Sequence, residues 1–341
     1  MKTAVVTAAA GNYVPLARVM ATSLRRHHPD VPVLFALSDE PGRLLPADEP
    51  FELLRVDLLS RSVRRRLLFA YERREAAIAV KPYALEAALD LGFEAVLYVD
   101  VDVLVLGGIS DLLAAARRAA VTLVPHLLDP LDGPDRAERE LNILQSGAFN
   151  GGVVGVRDSS EGRAFLAWWQ KRVSMDCRHA TAEGLHYDQR WLDLVPSYFE
   201  DVQVFDDPTI NVAHWNLPER DLATSRLFHF SGYDPDRPDA LTHYSDRLSF
   251  EDVPQAVPLF ARYRNAVLAA GWREERDRPY AYGQFDNGVP ITPAAREAYR
   301  RLGDAAERFG DPFATGASGS FYAWLSNGYF VEPELAEVAE R

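Results

Sequence analysis

The sequence predicts an α/β protein, a mostly parallel sheet covered by helices, with a helical C-terminal extension. Two observations carry this. Up to Gly232, short apolar runs rich in β-branched residues alternate with amphipathic stretches of helical period, as in sheets covered on both faces. Beyond it, "YDPDRPDALTHYSDR" is dense in Pro and Asp, and the segments that follow have helical spacing. The expected division is 1–235 and 236–341.

The first run, "TAVVTAA", has Val5, Val6 and Thr7 before small residues and suits a buried strand. The opening "MKTAVVTAAAG" imitates a secretory signal, but its apolar run is at the short limit for one. Next, "NYVPLARVMATSLRRHHPD" places Leu16, Val19, Met20 and Leu24 at helical spacing, with Pro15 where a helix start tolerates it. "VPVLFAL" and "FELLRV" are the second and third strands. Residues 63–91 read as helix interrupted at Lys81–Pro82, and "EAVLYVD" is a strand ending at aspartates. "AAVTLVP", "GGVVGV", "VQVF" and "RLFHF" are later strands, with helices around 162–174 and 187–195. In the C-terminal part, "VPLFARYRNAVLAAG" and "TPAAREAYRRLGDAAERF" are helical. The aromatics of "YAYGQFDNGVPI" and "FYAWLSNGYF" suit a core, a homodimer contact or stacking on an acceptor.

Composition narrows the function. The chain carries 37 Lys and Arg against 50 Asp and Glu, a net charge of −13 that repels nucleic acid. No window reaches the roughly 18 uninterrupted apolar residues of a membrane helix. The single cysteine, Cys177, cannot form an intrachain disulfide and fits a reducing, cytoplasmic setting.

The sharpest motif is "LYVDVDVLVLG", with Asp100 and Asp102 where an apolar strand runs out. Residues i and i+2 of an extended strand share a face, so both carboxylates are expected to reach one hard cation or its water shell. Without a cation they would repel. "LFHFSG" puts His229 near the end of another strand, before Ser231 and Gly232. Two carboxylates and an imidazole suit Mn²⁺ and accept Mg²⁺, leaving positions for phosphate oxygens.

In this order, "TAVVTAAAGNY", a Lys, "LYVDVDVLVLG", "FNGGVVGV", "YDQRWLDL" and "HFSG" resemble the GT-A glycosyltransferases, especially glycosyltransferase family 8 and its bacterial polysaccharide-type relatives. The resemblance covers roughly residues 3–232. It implies a GT-A, Rossmann-like catalytic domain and a metal-dependent retaining transferase moving a hexose from a UDP-sugar to an acceptor hydroxyl on a glycan, a peptide or protein, or a small molecule. It implies Asp100, Asp102 and His229 as metal ligands, with Thr7, Ala8 and Tyr13 around uracil and ribose. Lys81 would contact the donor, Asn150, Gly151 and Gly152 the sugar, and Asp188 and Gln189 would stand beside the anomeric carbon. Ser231 and Gly232 would admit the diphosphate closely.

One departure stands out. The family's Lys-Pro-Trp after "HFSG" is replaced by "YDPDRPD", so the lysine that meets the diphosphate is missing or moved. Arg237 is one substitute. The series Arg61, Arg64, Arg65, Arg66, Arg73 and Arg74 is expected to cover the diphosphate, to touch an anionic acceptor, or to be simply a solvated helix face. Asn211, His214, Trp215 and Asn216 line the donor or acceptor cleft or form a buried turn. Two other functions compete: an aspartyl-phosphate-type phosphotransferase or phosphatase, with Asp206 and Asp207 as an acid pair, and a non-catalytic nucleotide-sugar-binding module.

Overall fold

Seven strands pair into one sheet around Thr3–Ala9, a segment buried at every residue. The structure, a computed structural model, describes residues 2–40, 48–54, 61–217 and 219–327. In chain order the first half contains β1 (Thr3–Ala9), α1 (Val14–His27), β2 (Val33–Leu37), β3 (Glu52–Leu54), α2 (Arg61–Ala70), α3 (Arg73–Ala79), α4 (Lys81–Asp90), β4 (Ala95–Val99), β5 (Val103–Val105), α5 (Ser110–Arg118), β6 (Val121–Pro125) and α6 (Arg136–Ser146). The second half contains β7 (Phe149–Arg157), α7 (Ser160–Met175), β8 (His179–Ala180), β9 (Leu185–His186), α8 (Val195–Tyr198), β10 (Val202–Val204), β11 (Leu227–His229), α9 (Val257–Ala269), α10 (Trp272–Glu275), α11 (Pro293–Leu302) and α12 (Phe321–Ser326). The sheet order is β10-β6-β7-β4-β1-β2-β3, and β7 alone runs antiparallel to its neighbours β4 and β6. The sheet is thus mostly parallel, as the sequence predicts.

Strand alternation divides the core in two. Ala4, Val6 and Ala8 of β1, with Val96 and Tyr98 of β4, face a layer that includes residues of α2, α3, α4 and α7. Val5 and Ala9, with Leu97 and Val99, face one that includes residues of α1, α5 and α9. Their uninterrupted apolar character follows from burial on both faces.

Several local expectations change. Asp100, Val101 and Asp102 do not continue a strand; they turn between β4 and β5. The 63–91 pattern breaks twice, at Tyr71–Glu72 and at Val80, and Pro82 sits in the first turn of α4, where its missing N–H costs nothing. The helix expected over 187–195 is a 3₁₀ turn over Gln189–Leu194 leading into the short α8. Of "FELLRV", residues 55–56 lie outside the described residues, as do 328–330 of "FYAWLSNGYF". The sequence patterns had not marked α5, α6 or the β8–β9 hairpin.

The C-terminal helices pack into both core layers. Phe285, Ile291, Ala295, Tyr299 and Phe321 join Phe69 and Leu67 in one, while Phe260, Tyr263 and Trp272 join the other. Tyr280, Tyr282, Tyr322 and Trp324 pack partly buried on the first layer, and none of these aromatics lines the large cleft. Arg296 of α11 anchors this contact. Its buried guanidinium donates to the carbonyls of Phe69 (2.6 Å), Tyr71 (2.7 Å) and Tyr282 (2.8 Å), serving the otherwise open C-terminal end of α2. Among the described residues no helix is long and apolar enough to cross a membrane.

Removing that guanidinium strands several buried acceptors. Arg296→Met is expected to lower unfolding stability by about 3 kcal/mol in urea titration, whereas a loss below about 1 kcal/mol would mean water replaces it.

Candidate active site

The carboxyl ends of the central strands open into a cleft of about 1110 Å³, the place where sheets of this kind bind ligands. Asp100 follows β4, Asn150 and Gly152 belong to β7, and His126 follows β6. A second, two-stranded sheet completes the floor. β5 and β11 pair antiparallel with His229 opposite Val103, and Phe230 N–H donates to Asp102 O (2.8 Å). This pairing delivers the imidazole to the aspartate turn.

Asp100, Asp102 and His229 offer three ligand atoms within 4.8 Å of one another. His229 Nε2 lies 3.0 Å from Asp102 Oδ1 and 3.9 Å from Asp100 Oδ2. Burial alone would lower the histidine pKa, but Asp102 and then Asp100 outweigh it and raise it; burial pushes Asp102 up, and His229 brings it below its ordinary value. Gly152 forms one wall. A Cβ there would stand 2.5 Å from Asp100 Oδ2 and 2.7 Å from His229 Cε1, so the absent side chain is space that the cluster uses. The donor set fits a divalent cation, with phosphate oxygens or water filling the remaining positions.

Lys81, the first residue of α4, is buried beside this cluster. Its Nζ lies 3.3 Å from Asp100 Oδ1, 3.4 Å from Asp188 Oδ2 and 3.1 Å from the Gly151 carbonyl, over the Tyr98 ring. Burial opposes the charge, yet Asp100 and Asp188 together raise its pKa. Tyr98 OH donates to the same Asp100 oxygen (2.8 Å). Asp188 is only 2% exposed, and burial lifts its pKa to about 6 despite Lys81.

The other expected residues divide. Ala8, Tyr13, Asn150, Gly152, Asp188, Gln189, Ser231 and Gly232 line the cleft; Thr7 and Gly151 do not. Thr7 is wholly buried within the sheet, its hydroxyl without a partner. Tyr13 is 39% exposed and stacks on Trp272 (6.1 Å, 18°). The Gln189 amide is occupied: Oε1 accepts Gly151 N–H (2.9 Å) and Nε2 donates to Ser146 O (2.8 Å). Asn150 likewise accepts from Gly152 N–H (2.6 Å) and contacts His126 Nε2 (3.1 Å). Both amides brace the backbone of β7. Gly232, at φ +72°, is crowded by Thr242 and Tyr244 instead of lying open.

Among the arginines, Arg237 is exposed and outside the cleft, while Arg73 and Arg74 line it; the side chains of Arg61, Arg64 and Arg65 lie outside the described residues. Arg73 donates to the Arg278 carbonyl (2.7 Å). Arg74 has no carboxylate in ion-pair distance among the described residues. It bonds the Tyr244 hydroxyl and lies over the rings of Tyr187 and Tyr244. His214 and Trp215 line the cleft, whereas Asn211 and Asn216 are buried below it. Asp207 is engaged by Arg226 (2.6 Å), away from the cleft, and does not form the acid pair that a phosphotransferase would need.

His126, Tyr98, Tyr244 and Arg247 also line the cleft, and the sequence patterns had not singled them out. Two carried a usable signal: Tyr98 precedes Asp100 by two at the end of an apolar run, and His126 directly follows one.

No protein-family model matches the chain. Over 197 residues, 53% of this chain and 64% of the relative, it is 25% identical to YfnF of Bacillus subtilis (strain 168), an uncharacterized protein. It is similar to the solved glycosyltransferase GlyE of Streptococcus pneumoniae TIGR4, at 15% identity over 83% of this chain and 67% of that one, with a TM-score of 0.47. It is also similar to the galactosyltransferase LgtC, solved with donor and acceptor sugar analogues, at 14% identity over 77% and 95% of the two chains, with a TM-score of 0.42. These solved structures are glycosyltransferases. Nothing in the match singles out family 8. At such identities the likeness concerns the fold and assigns no donor, acceptor or mechanism.

Gly152→Ala is expected to weaken Mn²⁺ binding at least about tenfold by forcing Asp100 and His229 apart; calorimetric titration at the wild-type level would exclude that crowding. Burial holds His126 neutral and lowers its pKa to about 4, with Nδ1 facing Ala148 O and Nε2 facing the Asn150 amide nitrogen. A depressed histidine pKa contributes stability that is complete above about 6.5 and lost as pH falls toward about 4. The melting temperature should fall across that window, and His126→Gln should flatten the slope.

Proposed function

We propose that the protein is a metal-dependent glycosyltransferase that moves a sugar from a nucleotide-sugar donor to an acceptor hydroxyl. The observation that carries this is the convergence of Asp100, Asp102 and His229 on the floor of a large cleft, beside a buried Lys81–Asp188 pair. Asp100, Asp102 and His229 would hold a divalent cation, which would supply Lewis acidity toward a departing diphosphate. The motif resemblance favours a UDP-hexose, Mn²⁺ or Mg²⁺, and retention of anomeric configuration.

The chain's own residues divide the work. Arg74, unpaired with any carboxylate among the described residues, takes the diphosphate charge that the family's missing lysine would meet. Tyr13, backed by Trp272, walls the base and ribose end. Asp188 is ionised at neutral pH, since its pKa is about 6; it accepts hydrogen bonds from sugar hydroxyls and favours positive charge developing on the ring. Lys81 keeps Asp188 and Asp100 from repelling each other. Gln189, bound to backbone at both ends, braces the start of β7 beside the sugar. With retention, the acceptor hydroxyl attacks the face from which the diphosphate leaves, and a leaving phosphate oxygen takes its proton. Residues 1–235 form the catalytic domain in this proposal and 236–341 a helical extension, whose described residues pack against it.

Thermal stability against a panel of nucleotide sugars tests the whole reading, because a ligand that binds only the folded state raises the melting temperature. One UDP-sugar should stabilise the protein in the presence of Mn²⁺, with the shift lost in Asp102→Ala and His229→Ala and reduced in Arg74→Ala. If no nucleotide sugar shifts the transition at saturation, the glycosyltransferase assignment fails.

A further inference from the structure

Asn211 is fully buried and lies outside the cleft, yet it touches the metal histidine. It is one of two non-glycine residues with positive φ among those described, at +58°, a conformation that Asn and Asp tolerate better than other side chains. Neighbouring backbone holds it there. Val212 N–H donates to Leu227 O (3.1 Å) and His229 N–H to Val212 O (2.8 Å), laying the segment along β11. Asn216 closes the turn: its Nδ2 donates to Asn211 O (3.0 Å) and His126 O (3.1 Å), and its Oδ1 accepts Ala213 N–H (2.9 Å). The result places Asn211 Oδ1 3.2 Å from His229 Nδ1 and leaves the buried Asn211 Nδ2 without a partner. An orphan donor costs stability, so the one polar contact this side chain makes is the one its Oδ1 makes to His229.

We propose that Asn211 is a positioning residue for the metal site: its Oδ1 accepts the Nδ1 proton of His229, so that the Nε2 lone pair faces Asp100 and Asp102. An imidazole ligates only through an unprotonated nitrogen, and a partner on the other nitrogen sets both tautomer and ring orientation. Asn216 and the β11 pairing make that acceptor immobile. The inference rests on the metal site proposed above, and it concerns residues that touch neither donor nor acceptor.

Calorimetric Mn²⁺ titration of the full chain tests it without any sugar. Asn211→Gly keeps the left-handed backbone and removes the acceptor, so Mn²⁺ affinity should fall about 10- to 100-fold with little change in melting temperature. Asn211→Asp keeps both features and should restore the affinity. Wild-type affinity in the glycine variant overturns the proposal, as does an equal loss in both variants. His229→Ala separates the two levels: if the wild-type protein binds no Mn²⁺, or His229→Ala binds it normally, the metal site itself is wrong and this role falls with it. Binding that is lost in His229→Ala but untouched in Asn211→Gly removes only the role of Asn211. Independently of any variant, ¹⁵N NMR of the Mg²⁺-loaded wild-type protein should find the His229 proton on Nδ1; a proton on Nε2 overturns the proposal.

Discussion

The Lys81 ammonium holds the site together. Three carboxylates, Asp100, Asp102 and Asp188, converge on the cleft floor, where repulsion between like charges is weakly screened and burial penalises the charged forms of Asp102 and Asp188. Lys81 stands between Asp100 and Asp188 and is itself buried, so neither side of the arrangement is stable alone. Removing one partner from such a set leaves an uncompensated buried charge, which is why a buried ion pair specifies geometry more than it adds stability. Here it ties α4, the β4–β5 turn and the segment after β9 to one point.

The backbone then determines what meets at that point. Asp100 and Asp102 come together in a turn, not through the pleat of a strand, and the turn is pinned on both sides by main-chain bonds: Asp100 N–H to Gly152 O (2.9 Å) and Phe230 N–H to Asp102 O (2.8 Å). The first bond brings β7 against the aspartates, so Gly152 must lack a side chain. The second brings β11, so His229 arrives at the same place. One antiparallel strand in a mostly parallel sheet and one small accessory sheet are therefore sufficient to assemble the ligands from distant parts of the chain.

This accounts for which features were legible in the sequence. Asp100, Asp102 and His229 stood out because charged groups at the end of apolar strands have few structural uses, and the strands themselves were visible from β-branched runs. The geometry of their approach was not, because the turn at 100–102 and the pairing of β5 with β11 depend on contacts across more than a hundred residues. Asn150 and Gln189 stood out by motif, but their bracing of β7 is set by distances that no spacing encodes. Helix α6 escaped notice because none of its residues is buried, so it lacks the apolar stripe that marks a helix against a core. Arg74 stood in the basic run and His126 after an apolar one, but which of them reaches the cleft is decided by tertiary placement.

The C-terminal region has more to do with the Tyr13 end of the cleft than its helical texture suggests. Trp272 backs Tyr13, the Arg278 side chain lies against Gly11 so closely that a Cβ there would be 2.9 Å away, and the Arg278 carbonyl accepts from Arg73. Asp39, at the end of β2, accepts Ala281 N–H (3.0 Å) and so fastens the same segment to the sheet. The aromatics that follow, Phe285, Tyr299 and Phe321, surround Phe69 at the end of α2, and α3 with Arg73 and Arg74 continues directly from there. Residues 272–321 thus buttress from behind the helix that carries the cleft arginines, which gives the aromatic-rich links a structural use without requiring them to touch an acceptor.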